Sequence, residues 1–164
     1  MTTVDYEHVI EEVTRQYASS PNSDGLESTL KIIAKEYQHD TTVTWSEGHL
    51  SLEELRSVIL PWHVCGTSEH TLVPSQGTTV GEICKILAQR PTDLVDSCTG
   101  KIHQFRVLPK MPAIISNRSR PGIDYRDCKY REGWFHVDGL HRMIAWGLSS
   151  CEEGIFPVFK ATHT

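Results

Sequence analysis

Apolar positions recur every three or four residues in the first third of the chain. Tyr6, Val9, Ile10, Val13 and Tyr17 form the stripe of an amphipathic helix, and Leu26, Leu30, Ile33 and Tyr37 form a second. Between them, Ser19-Ser20-Pro21-Asn22-Ser23-Asp24-Gly25 is rich in turn formers and breaks the periodicity. Residues 41–45 read as a short strand. Ser51 and Glu54 make a capping box for a third helix, which stops near Pro61.

From residue 62 the texture changes. Residues 63–74 read as an irregular loop ending in a short strand at 71–73. Thr79 and Glu82 make a second capping box, ahead of a helix carrying Val80, Ile83, Leu87 and Ala88 that ends before Pro91. Residues 93–100 are ambiguous. Three strands are expected at 102–108, 113–116 and 134–137, then a helix marked by Leu140, Met143, Ile144 and Leu148, then a closing strand at 155–160. The pattern predicts an α/β or α+β domain of helical N-terminal residues 1–61 and mixed residues 62–164, packed as one unit.

At 164 residues, with 38% hydrophobic and 23% charged positions, the chain has the size and make-up of one globular domain. It lacks an apolar run of the roughly 18–20 residues a membrane span needs. Its first residues lack the basic start and apolar stretch of a secretory signal, so a cytoplasmic protein without membrane contact is expected. The five cysteines (Cys65, Cys84, Cys98, Cys128 and Cys151) include no Cys-x-x-Cys pair, and reduced thiols are expected.

Net charge is −5, but unevenly spread. Residues 1–60 hold 4 Lys/Arg against 11 Asp/Glu, whereas residues 101–142 hold 9 against 4. That asymmetry points to an anionic ligand in the later stretch. Arg118, Arg120, Arg126, Lys129 and Arg131 crowd the polar loop 117–132, which can close over a ligand or stand as a solvated loop. His63, Cys65, Glu69 and His70 lie within eight residues but fit no standard metal-ligand spacing, and no metal set is assigned.

The stretch Trp134-Phe135-His136-Val137-Asp138-Gly139-Leu140-His141-Arg142 runs from strand through a tight turn into a helix. Such a helix start presents unpaired N–H groups and positive partial charge, suited to phosphate. Arg142 adds a forked donor, and His141 can donate or move a proton near neutral pH. The plainer alternative is a local cap by Asp138 with Arg142 solvated.

The run Val137-Asp138-Gly139-Leu140-His141-Arg142-Met143-Ile144-Ala145, followed by Ile155-Phe156-Pro157-Val158, resembles the ParB/sulfiredoxin-like superfamily. Leu72-Val73-Pro74 and Pro112-Ala113-Ile114-Ile115 sit where that family places two further strands, so the resemblance covers about residues 70–160. It is nearest to the free-serine kinases, whose Asp-Gly-His-His-Arg motif is matched at Asp138, Gly139, His141 and Arg142, with Leu140 in place of a histidine. The resemblance implies a small nucleotide-binding enzyme that transfers a phosphoryl group to a small polar metabolite or hydrolyses the nucleotide. ATP or ADP with Mg2+ would be the cofactors. Gly139, Leu140, His141 and Arg142 would hold the nucleotide, Asp138 and His141 would be catalytic, and Gln76, Arg118 and Arg120 would face the substrate.

Two departures stand out. Glycine at 139 replaces the cysteine of sulfiredoxin, so sulfinate repair is not expected. The kinases' Pro-His-Glu base segment reads Pro74-Ser75-Gln76 here, and Glu69 and His70, a few residues earlier, would substitute if the loop folds back, with Glu69 as the catalytic group. The partners implied are a nucleotide and a small anionic or hydroxylated metabolite, with no DNA, and a homodimer left open. Alternatives are a non-catalytic module that binds a nucleotide or phosphorylated ligand, and a lyase or isomerase acting on an anionic metabolite near residues 63–70.

Overall fold

The longest ladder joins the early and late parts of the chain. Strand β2 (Val43–Leu50) pairs antiparallel with β9 (Phe156–His163) from Val43 opposite His163 to Leu50 opposite Phe156 in the computed structural model. The structure describes residues 1–18, 25–66, 70–89, 96–108, 111–120, 122–149 and 154–164. Among the described residues a seven-stranded mixed sheet lies around that ladder. β1 (Thr2–Val4) pairs antiparallel with β2, and β7 (Ala113–Ser116) runs parallel to β9 and antiparallel to β8 (Phe135–Asp138). β3 (Ile59–Leu60) lies parallel to β8 and antiparallel to the edge strand β6 (Thr78–Thr79). A separate two-stranded ladder joins β4 (His63–Val64) to β5 (Thr71–Val73).

Helices cover both faces, and strand alternation decides which residue meets which layer. Helices α1 (Tyr6–Ala18) and α2 (Leu26–Tyr37) bury Val9, Val13, Ile33 and Tyr37 against Trp45, Ile114, Val137, Phe159 and Ala161. Ala113, Ile115, Phe156 and Val158 face the other way. They meet helices α3 (Leu52–Ser57), α4 (Val80–Ala88), α5 (Ser97–Val107) and α6 (Leu140–Gly147). The protein is a mixed α+β fold with the sheet between two helical layers. Among the described residues no helix is long and apolar enough to cross a membrane.

Both expected capping boxes are present, Ser51 with Glu54 and Thr79 with Glu82. The strand expected at 102–108 is instead the second half of α5. Asp96 caps that helix by accepting from the Thr99 N–H at 2.7 Å, and Cys98, Ile102 and Phe105 then fall on one core-facing side at helical spacing. Val107, which a strand would have alternated inward, is 85% exposed. The thiol expectation also needs correction: Cys65 and Cys98 form a disulfide, their Cα atoms 5.9 Å apart across 33 residues of sequence. Tertiary packing of β4 against α5 makes that pair, which no local spacing signals. Cys84 and Cys128 are free and buried, and Cys151 lies outside the described residues.

Candidate functional site

Strand β8 delivers Asp138 to a turn at Gly139, whose φ of 93° is a left-handed conformation that favours glycine. A Cβ there would stand 3.0 Å from both the Ala113 Cβ and the Arg142 Nε. The close approach that glycine permits is therefore made by Arg142 itself, which curls back from the first turn of α6 to pair with Asp138. The other carboxylate oxygen accepts from the Tyr17 hydroxyl at 2.9 Å and the Thr29 hydroxyl at 3.1 Å. Burial pushes the Asp138 carboxyl up, but Arg142, His136 and the two hydroxyl donors outweigh it and hold the group below the ordinary carboxylate range. Tyr17 goes the other way, to about 12, through burial and the nearby Asp138 charge, so its hydroxyl stays a donor.

Beside this turn opens a cavity of about 540 Å³, within the range of small-molecule sites. Trp62, Phe105 and Met111 supply apolar wall, and Lys101, Arg120 and Asp124 bring charge. Several wall residues carry buried nitrogens with no hydrogen-bond partner among the described residues: Arg120 Nε, both ring nitrogens of His136, and His141 Nε2. Burial pushes both His136 and His141 down to about 3, helped at His136 by Arg120 and Arg142 and at His141 by His63 and Lys101. Both rings are neutral at physiological pH. His63 is also held below its usual value by burial and by Lys101. Its Nε2 lies 3.3 Å from the Cys98 sulfur, and its ring meets His141 edge-on with centroids 5.2 Å apart.

The structure gathers Asp138, Gly139, Leu140, His141, Arg142 and Arg120 at one cavity. Leu140 turns its side chain into the core, which leaves only its backbone amide for a ligand. Asp138 is committed to three donors and acts as a strut. Gln76 and Arg118 are not at this cavity. Gln76 follows β5 toward the edge strand β6, where its carbonyl accepts from the Lys129 N–H at 2.9 Å. Arg118 lines a smaller cavity of about 110 Å³ with Glu36, Asp40 and His163. Glu69 lies outside the described residues.

Of the five basic residues in loop 117–132, Arg120 alone lines the larger cavity, where one of its terminal guanidinium nitrogens lies 3.9 Å from the Asp124 carboxylate. Arg126 pairs with Asp127, Lys129 pairs with Glu82, and Arg131 donates to the Cys128 and Tyr130 carbonyls. The loop is pinned, with the Tyr125 hydroxyl donating to the His136 carbonyl at 2.9 Å. Sequence reasoning missed Tyr17, Thr29, Lys101 and Cys98. It also passed over His136, for which a signal existed: a histidine inside the otherwise apolar run before Asp138.

A family of unknown function (DUF6309) matches this chain over residues 1–155. The chain belongs to the DUF6309 family. Neither a curated protein nor a solved structure matches it. The DUF6309 match takes in the two N-terminal helices and the Asp138-Gly139 turn together, and these are the elements that Tyr17, Thr29 and Asp138 tie to one another.

Proposed function

We propose that this DUF6309 protein binds a phosphorylated small molecule, a nucleotide foremost, in the cavity beside the Asp138-Gly139 turn, and acts on it by phosphoryl transfer or hydrolysis. One observation carries the reading: Arg120 Nε, both ring nitrogens of His136 and His141 Nε2 are buried without partners among the described residues, around a cavity that also holds Lys101. Buried polar groups are nearly always satisfied, so such a wall is built to receive hydrogen-bonding atoms from a ligand. Positive side chains at the same wall select for an anion. The succession of β7, β8, the Asp-Gly turn, α6 and β9 supports a ParB/sulfiredoxin-like arrangement, in which the same turn meets phosphates.

In this reading Arg120 and Lys101 meet the phosphate oxygens, and the amides after Gly139 add N–H donors at the helix start. Asp138 holds Arg142 and the N-terminal helices in place rather than meeting substrate. Asp124 is the other carboxylate lining the cavity among the described residues. A magnesium ion arriving with a nucleotide would rest on phosphate oxygens and water, with Asp124 as its protein carboxylate. The commitment of Asp138 to three donors favours one competing reading, a module that binds the ligand without turnover.

Thermal unfolding in ATP, ADP, CTP, GTP and inorganic pyrophosphate, each with magnesium, tests binding. A ligand at about 100 times its Kd stabilises by about 2.7 kcal/mol. The expected result is a rise in Tm with at least one of these anions, lost in Arg120→Gln, whose ligand-free Tm stays near that of the parent. No rise with any of them, or an undiminished rise in the variant, overturns the reading. Product analysis on the ligand that binds then separates enzyme from module.

A further inference from the structure

We propose that Cys98, His63 and His141 form a redox-gated site for a zinc-like divalent transition metal ion, open only when the Cys65–Cys98 disulfide is reduced. The three residues come from β4, α5 and the first turn of α6, and one ligand atom of each lies within 4.8 Å of the others. His63 Nε2 and the Cys98 sulfur are already 3.3 Å apart. His141 Nε2 is buried with no hydrogen-bond partner, a nitrogen that ligation would satisfy.

The donor chemistry points to the ion. One thiolate and two neutral imidazoles suit zinc and its neighbours, and three protein ligands leave a fourth position for water or substrate. His63 and His141 both line the larger cavity, so that fourth position would open toward it. Lys101 shares the wall and repels a cation, but it is exposed and free to turn to solvent. A second grouping, Cys65 with Asp96 and Cys98, is the weaker alternative, because the Asp96 carboxylate already caps α5.

The disulfide and the metal compete for the same sulfur. A dithiol reductant supplies two electrons and two protons, the S–S bond breaks, and Cys65 and Cys98 become thiols while the reductant becomes a disulfide. Cys98 then releases its proton to solvent as its sulfur takes the metal, and Cys65 remains a buried thiol. Oxidation by a disulfide, which takes two electrons from the Cys65 thiol and Cys98 thiolate and two protons, one from Cys65 and one from solvent, re-forms the S–S bond and expels the ion. The inference does not require the nucleotide reading, but both draw on His141 Nε2: a bound metal would occupy that nitrogen and leave Arg120 and His136 as the unpartnered groups facing a ligand.

The test uses the full chain, reduced with a phosphine and freed of it, then titrated with cobalt(II). The reduced protein should show a thiolate-to-cobalt charge-transfer band saturating at one ion per chain, and the oxidised protein should show none. Cys65→Ser should bind cobalt without any reductant, and Cys98→Ser should show no band in either state. His63→Ala should weaken zinc binding by more than the roughly 10–100-fold that losing an outer-shell partner costs. No band in the reduced chain overturns the proposal. So does a Cys98→Ser chain that keeps the band, or a folded Cys65→Ser chain that has lost it, which would place the ion on Cys65 and Asp96. Circular dichroism checks folding, and if Cys98→Ser does not fold, Cys65→Ser decides.

Discussion

On one side of the Asp138-Gly139 turn, the Asp138 carboxylate collects Tyr17, Thr29 and Arg142. On the other side, His136, His141 and Arg120 keep buried nitrogens that nothing among the described residues meets. His136, Asp138 and His141 stand on one strand-turn-helix unit and Arg120 on the loop before it, and all of these groups line one cavity, yet one flank is satisfied and the other is not. An unsatisfied buried polar atom costs about 1–3 kcal/mol, so a chain that satisfies one flank and leaves the other unpaired is bearing that cost where a ligand can relieve it. The carboxylate that sequence motifs make the natural choice for catalysis is the one with the least freedom to act.

The largest effect should follow from opening the closed flank. Asp138→Asn keeps the shape but leaves Arg142, which is 4% exposed, without its counter-charge. Breaking a buried pair by removing one partner costs about 3–5 kcal/mol, and urea denaturation should show a loss of that size. A loss below about 1 kcal/mol would mean Arg142 finds water, and the contrast between flanks would fail. Gly139→Ala should come next, at about 2 kcal/mol or more. It forces alanine into a left-handed conformation and crowds Ala113 and the Arg142 fork, so the Asp138 pair must shift with it. Tyr17→Phe should cost about 1.5 kcal/mol, the low end for a hydrogen bond to a charged group, because Thr29 and Arg142 still hold the carboxylate.

How much of this was legible beforehand divides along the same line. The amphipathic stripes of α1 and α2, both capping boxes and the strand-turn-helix at Asp138 are local signals, readable from spacing and cap chemistry. What closes the Asp138 flank is not local. Tyr17 and Thr29 reach Asp138 from 121 and 109 residues away, and nothing in their neighbourhoods marks them. The Cys65–Cys98 pair likewise depends on α5, a segment whose alternation of apolar and polar residues reads as a strand until Asp96 caps it as a helix. Arg118 and Arg120, two residues apart in a basic loop, are indistinguishable in sequence. Only the fold puts Arg120 where it lines both cavities and keeps Arg118 at the smaller one, beside Asp40 and His163.

The smallest change at neutral pH should come from filling the open flank. His136→Phe removes two unpartnered nitrogens but forces a larger ring into a buried site, and with these opposed its stability at pH 7 should stay within about 1 kcal/mol of the parent. Its signature lies in acid. The His136 imidazole titrates near 6.5 when unfolded and at about 3 when folded, so between those values the unfolded chain binds a proton that the folded chain does not. Stability therefore falls as pH drops through this window, by about 1.4 kcal/mol per pH unit for this one group. Asp138 acts lower down: its folded value is depressed, so its contribution is fully present above the unfolded carboxylate range and is lost only as pH falls through the folded value. Urea melts of the parent and His136→Phe at pH 7, 6 and 5 should diverge steadily, the variant losing less, before Asp138 begins to titrate. Parallel slopes would mean that His136 protonates in the folded state as readily as in the unfolded one. The open flank would then be a hydrated surface rather than a dry wall awaiting a ligand.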